Sequence, residues 1–286
     1  MKKFLAIVLA ALMLFAFAAC GDKTETDASA NIVKLVDIQL SSEEYAFGVD
    51  KNQPELLADV NAFIEKILGD GTFETICNKY LGEGNDTKVG VASAELDSTK
   101  DQLVVATNAE FEPFEYMEGD LYYGIDMEVA ALLAQELGKE LVIQNMDFDA
   151  VCLSVGQHKC DIAIAGLSIN AEREESVTFT VPYYKSAQKI IVKAEDTRFD
   201  DCKTVEDVEK VLAELPEGTK IGAQAGTTGE LYIKGSEAFD FPGIANAEAV
   251  TYDSASLATI DLASGRVDFV IVDADPAASI VATVNG

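Results

Sequence analysis

Tryptophan is absent from this chain of 286 residues, histidine occurs once (His158), and arginine only at Arg173, Arg198 and Arg266. A single histidine excludes His-rich metal cages and His dyads, and nearly excludes a Ser-His-Asp triad. Basic residues as a whole are few: 21 Lys and Arg face 50 Asp and Glu, for a net charge of −29. A surface this acidic repels phosphate backbones, which argues against nucleic-acid binding. The five cysteines show no CxxC spacing, so no metal site is expected. Nothing in the sequence calls for a cofactor. Beyond residue 19 there is no continuous apolar run of 18 residues, the length a membrane helix needs.

What is present begins with an export signal. Residues 1–19 place Lys2 and Lys3 ahead of 16 uncharged, mostly apolar residues, with small residues before Cys20. That is the build of a signal peptide. The segment around Ala18-Ala19-Cys20 resembles a lipobox, with Phe17 where leucine is usual, and this makes Cys20 the expected lipidation site. Removing residues 1–19 takes two lysines and no acid, so the mature charge is −31. Residues 20–31 are small and polar and read as a tether from a lipid anchor. A hydrophobic fraction of 49% is ordinary for a folded protein. The remaining length suffices for one large domain or two lobes of roughly 100–150 residues each.

Strands and helices alternate. The apolar run 103–107 predicts a buried strand, 125–137 a helix closed by Gly138, and 140–144 a second strand. A short helix over 148–155 and a strand over 161–165 follow. The second half repeats this with a strand at 220–224, a helix after Gly226, a helix at 254–263 and a strand at 269–273. Residues 153–166 and 261–273 share one pattern: helix, glycine turn, Asp, then four apolar residues. Two similar α/β lobes with largely parallel sheets are the economical reading. Ligands of open α/β sheets bind outside the carboxyl ends of the strands, so two lobes can enclose a cleft between those ends. Cys77, Cys152 and Cys160 read as small hydrophobes, with a Cys152–Cys160 or Cys77–Cys160 disulfide left open; Cys202 is unassigned. Glu43-Glu44 and the acids of 172–175 read as solvated faces, and His158 as a surface turn residue without function.

The segments TNAEFEPFEY (107–116), the helix at 124–137, NMDFDAV (145–151), AGLSINAERE (165–174), QAGTTGE (224–230) and GRVDFVIVD (265–273) together resemble bacterial extracellular solute-binding proteins of family 3, the polar amino acid binders of ABC importers. The resemblance implies a two-lobed α/β fold of the periplasmic-binding-protein type (type II) with a hinged cleft. It implies a non-enzymatic monomer that hands a free L-amino acid to a membrane permease, lipid-anchored on the outer face of the cell membrane. One thing is out of order. Residues 31–49 look like the family's return crossover and 52–84 like its terminal helix pair, yet both precede residue 101. The chain therefore reads as a circular permutation. Its second lobe is 32–41 with 194–286, its first lobe is 42–193, and 85–101 is the linker joining the ancestral ends. Crossings between lobes are expected near 41–44 and 188–193.

The same resemblance implies site residues. An amino acid carboxylate needs a planar bidentate donor, and Arg173 matches the family's arginine. A surface pair with Glu172 or Glu175 is the alternative. Ser168 matches the assisting hydroxyl, Gly166 a backbone contact, and Thr228 a contact from the opposite lobe at a helix start. Asp273 ends an apolar strand, where a carboxylate is costly unless paired; it matches the acid that meets the ammonium. Phe111 and Phe148 match the aromatic walls. Asn108 and Glu110 are the polar candidates near the ligand side chain, while Val272 offers no polar group there. The alternative on the same fold is an enzyme resembling cyclohexadienyl dehydratases, with Glu110 the only visible general acid. Binding of a different small solute is a further alternative.

Overall fold

The computed structural model describes residues 31–82 and 87–286. The predicted signal peptide and Cys20 lie outside the described residues, as does part of the linker 85–101. The chain opens with strands β1 (Val33–Val36), β2 (Glu43–Tyr45) and β3 (Gly48–Asp50) and helices α1 (Pro54–Gly69) and α2 (Thr72–Leu81). Next come β4 (Gln102–Thr107), β5 (Glu110–Phe111), β6 (Glu115–Glu118), β7 (Leu121–Tyr123), α3 (Ile125–Leu137), β8 (Glu140–Asn145), α4 (Phe148–Gly156), β9 (Ile162–Ala163), α5 (Ala171–Glu174) and β10 (Val177–Phe179). The remainder is β11 (Tyr184–Ser186), β12 (Gln188–Lys193), α6 (Val205–Ala213), β13 (Thr219–Gln224), α7 (Thr228–Lys234), β14 (Ala247–Tyr252), α8 (Ala255–Ser264), β15 (Phe269–Asp273) and α9 (Ala274–Asn285).

Two five-stranded sheets result, ordered β10-β3-β9-β4-β8 and β1-β12-β15-β13-β14. Each has a parallel trio, β9-β4-β8 or β15-β13-β14, because α/β connections return the chain to the same sheet edge. Each adds two antiparallel strands, β3 with β10 and β12 with β1. The two halves are therefore built alike, and the carboxyl ends of β4, β9, β13 and β15 carry the candidate site segments. Between the sheets, β2 pairs with β11 as a separate antiparallel ribbon. The chain thus crosses between halves at β2 and at β11.

The first expected crossing agrees with this ribbon, and the second does not. Residues 188–193 are not a crossing in the first lobe. They form β12 of the second-half sheet, where Ile190, Ile191 and Val192 are fully buried. That stretch needs cover on both faces, which only an interior strand supplies. The lobe boundary accordingly lies near 187. The strand expected over 161–165 is also shorter, covering 162–163. Residues 110–111 and 115–116 of the TNAEFEPFEY segment enter a three-stranded meander, β5-β6-β7.

Residues 54–81 have no core of their own. Leu56, Val60, Phe63, Ile64 and Ile67 recur every three or four residues and share one buried cluster with Val129, Ala130 and Leu133 of α3. Both α1 and α2 pack on α3, and β3 is an interior strand of the first sheet. Far along the chain, the Asn285 side chain accepts from the Ile32 and Val33 N–H groups at 2.8 and 3.1 Å and donates to the Val33 carbonyl at 2.9 Å. The last helix and the first strand are thereby fastened together.

Candidate functional site

Arg173 sits on the one-turn helix α5, whose start is capped by the Asn170 carboxamide accepting from the Arg173 N–H at 2.7 Å. This cap turns the side chain inward. Nη1 donates to the Ser168 carbonyl at 2.7 Å, and Nη2 donates to the Gly226 carbonyl, in the other half, at 3.1 Å. The guanidinium lies 5.1 Å from the Phe148 ring centroid, a cation–π contact that holds its plane. Among the described residues no carboxylate pairs with it, so the surface pairing with Glu172 or Glu175 is not what the structure shows. Two of its five N–H groups are engaged, and the rest of the fork can serve a carboxylate.

Asp273 stands at the end of β15 and is buried. Tyr45 donates its O–H to Oδ1 at 2.6 Å, and Ser186 Oγ lies at 3.4 Å. Burial, with the charge of Glu43 second, pushes the Asp273 carboxyl up to about 7; Tyr45, Gln188 and Arg173 pull the other way. Arg173, which reaches from one half to the Gly226 carbonyl of the other, is thus near enough to Asp273 to favour its ionised form.

The other candidates divide. Ser168 donates its hydroxyl to Glu43 Oε2 at 2.6 Å, so in this arrangement its proton is not free for a carboxylate. Gly166 spends its N–H on Asp126 Oδ2 at 2.9 Å, which leaves only its carbonyl for a backbone contact. Thr228 is buried as the first residue of α7, while the cap position belongs to Thr227. Asn108 is engaged at both ends: its amide donates to the Met146 carbonyl, and its oxygen accepts from Gln224 Nε2 of the other half, both at 2.8 Å. Phe111 is buried against Phe114, with ring centroids 6.0 Å apart. Glu110 is exposed. Both line a cavity of about 370 Å³ between the halves, closed on the far side by Ile260, Pro276, Ile280 and Val284.

The halves come close together at Gly226. Its φ is +73°, and a Cβ there would stand 2.9 Å from Asp149 Cβ of the first half. Only glycine meets both conditions without strain.

Sequence reasoning missed four residues here. Glu43, read as solvated, is buried and accepts from Ser41 Oγ at 2.5 Å as well as from Ser168. A signal was available: Glu43 and Tyr45 alternate around exposed Glu44, so the first two share a face. Gln188 reaches Glu43 with Nε2 at 3.4 Å. Asp126, at the start of α3, holds Gly166 and accepts from Tyr183 O–H at 2.8 Å; burial pushes it up to about 7. Its neighbour Glu115 is fully buried with no hydrogen-bond donor on either oxygen, and burial first, then Asp126, drives its carboxyl well up. His158 lies at the surface as expected, with Nδ1 2.7 Å from Asp50 Oδ2. Cys77, Cys152, Cys160 and Cys202 are free thiols.

Two alike α/β halves, a ribbon between them, and charged groups of opposite sign from each half define a two-lobed small-ligand-binding fold. The model of bacterial extracellular solute-binding proteins, family 3, matches residues 103–225. The putative ABC transporter arginine-binding protein 2 of Escherichia coli (strain K12) is 31% identical over 186 residues, 64% of this chain and 68% of its own. Arginine-bound ArgBP of T. maritima (a Gly52Ala mutant) superposes with a TM-score of 0.53 at 31% identity, over 64% of this chain and 78% of that one. The cyclohexadienyl dehydratase of Pseudomonas aeruginosa (strain PAO1) is 31% identical over 119 residues, 41% of this chain and 44% of its own. The chain spans 52% and 65% of the length of the first two curated relatives it matches. It belongs to the bacterial extracellular solute-binding proteins, family 3.

Proposed function

We propose that the protein is the substrate-binding component of an ABC importer, capturing a free L-amino acid between its halves for delivery to a membrane permease. What supports the reading is a cation and a carboxyl from different halves: Arg173 reaches across to the Gly226 carbonyl and acts on the buried Asp273, and the two suit the carboxylate and ammonium of an amino acid. Because the two charges come from different halves, the ligand favours the closed arrangement by its differential affinity for it. Relatives named for arginine binding put arginine first among candidates. The test is a thermal-shift screen of the protein against the twenty amino acids, cystine and ornithine. A true ligand raises the melting temperature with concentration. No stabilisation by any of them sinks the reading, and turnover of prephenate or arogenate by the same sample would replace it with the dehydratase alternative. The protein acts as a monomer in this reading.

Export and a lipid anchor at Cys20 complete the proposal. Metabolic labelling with radioactive palmitate should mark the protein, and Cys20→Ser should lose the label; a labelled Cys20→Ser protein would reject the site.

The chain order also reads as a circular permutation of the family's. In support, residues 33–81 lie outside the family match at 103–225, yet they supply β3, α1 and α2 to the first half. Asn285 and Ile32 are hydrogen-bonded, so a peptide from 286 to 31 needs no detour. A chain joined from Gly286 to Asn31 and opened between Ser98 and Thr99, an exposed turn, should fold and bind as the original does. An insoluble or non-binding product from that rearrangement counts against permutation.

A further inference from the structure

Two buried carboxyl groups stand beside the ribbon that joins the halves, where one was expected. Glu43 is 4% exposed and Asp273 5%. Both are reached from β2, which carries Glu43 itself and the Tyr45 hydroxyl bonded to Asp273 at 2.6 Å. The groups facing the pair come from every side. Ser168 and Arg173 face it from the first half, Ser41 from the segment before β2, Ser186 from β11 and Gln188 from β12. Glu115 of β6 adds a more distant acidic group. Arg173 is the one cation among them, and it is already bonded to two carbonyls.

The cluster is rich in acceptors and short of donors. Gln188 Oε1, fully buried beside it, has no hydrogen-bond donor. Burial, with the charge of Glu43 second, pushes the Asp273 carboxyl up, so Asp273 holds a proton more readily than an exposed carboxyl does. A ligand ammonium brings three donors and a full positive charge.

We propose that Glu43 completes the ammonium-binding face with Asp273, and that the pair gives up one proton to solvent when an ammonium group arrives. This rests on the amino-acid-binding reading. The balance is simple. The ligand enters and stays as an ammonium cation, one carboxyl O–H bond breaks, and the proton leaves to the buffer.

Linkage fixes the sign. In the ligand-free protein burial, and after it the charge of Glu43, pushes the Asp273 carboxyl up to about 7. A bound ammonium favours the ionised form and moves it back down. Affinity is therefore full above pH 7 and weakens as the pH falls, by up to about tenfold per pH unit.

Titration calorimetry with each standard amino acid except histidine and cysteine, whose side chains themselves titrate, tests this at pH 6 and pH 8 in buffers of unequal ionisation heat. The expected result is release of close to one proton per ligand at pH 6 and little at pH 8, where the ligand is still an ammonium cation. Glu43→Gln should bind more weakly, and the binding that remains should release clearly less proton at pH 6. Binding whose heat is the same in every buffer at pH 6 overturns the proposal and leaves amino-acid binding intact. Unchanged proton release in Glu43→Gln removes Glu43 from it. No binding at either pH overturns both readings. Should Glu43→Gln fail to fold, Glu43→Asp, which draws the carboxyl back by one methylene, makes the same comparison, and unchanged proton release at pH 6 removes Glu43.

Discussion

Arg173→Ala is expected to fold normally and to lose amino-acid affinity by about a thousandfold, near 4 kcal/mol. The size follows from what the substitution strands. A ligand carboxylate drawn into the closed cleft would lose its only nearby guanidinium, and a desolvated charge left unpaired is the costly case. Fold stability should change little, because the two bonds Arg173 makes within the protein go to the Ser168 and Gly226 carbonyls rather than to a buried acid. Arg173→Lys should recover only part of the affinity, since an ammonium cannot match a carboxylate with two parallel bonds. The amino acid found by thermal shift supplies the readout. Stabilisation of Arg173→Ala equal to that of the parent protein would show that the carboxylate is held elsewhere.

Gly124→Ala carries the largest expected effect on stability. Gly124 sits just before α3 with φ +121°, a region closed to side-chain-bearing residues. An added Cβ would lie 2.0 Å from the Phe114 carbonyl oxygen and 2.8 Å from the Glu115 nitrogen. Both obstacles are backbone, so neither can swing aside. The cost should exceed about 4 kcal/mol, a large share of a typical domain's total stability. Because Asp126 follows two residues later and anchors Gly166, the damage should reach the cleft as well. Gly69→Ala makes the control: it lies in α1 with nothing within 4 Å, and alanine there should stabilise by about 0.5–1 kcal/mol. Urea unfolding of the two variants checks the contrast. A Gly124→Ala protein that unfolds at the parent's midpoint would mean the backbone relaxes at little cost.

Much of this architecture was legible because local and tertiary demands agree. The three- and four-residue spacing from Leu56 to Ile67 serves both helix formation and the face buried against α3. Gly124 and Gly138 bracket α3 where its apolar pattern begins and ends. Other features depend on contacts between distant residues, and the local pattern misleads there. Gln188–Lys193 lies just past a crossing, and three consecutive buried residues make it an interior strand. Glu43 belongs to an acidic pair that looks solvated, and only the Ser168 hydroxyl, 125 residues away, explains its burial. Asn108 is the reverse case. Its place in a ligand-loop motif was plain, whereas its engagement by Met146 and Gln224 depends on how the halves meet.

The bonds from Asn285 to Ile32 and Val33 have a consequence for how the molecule loosens. They close the chain into something near a ring, with Val33–Val36 and Ala274–Asn285 meeting at the seam. Segments separated by some 250 residues then share one opening event. Fraying of the last helix exposes the edge strand it covers, and detachment of that strand leaves the helix without its anchor. The two should leave and return together as a single cooperative unit, while each sheet's parallel centre stays shut.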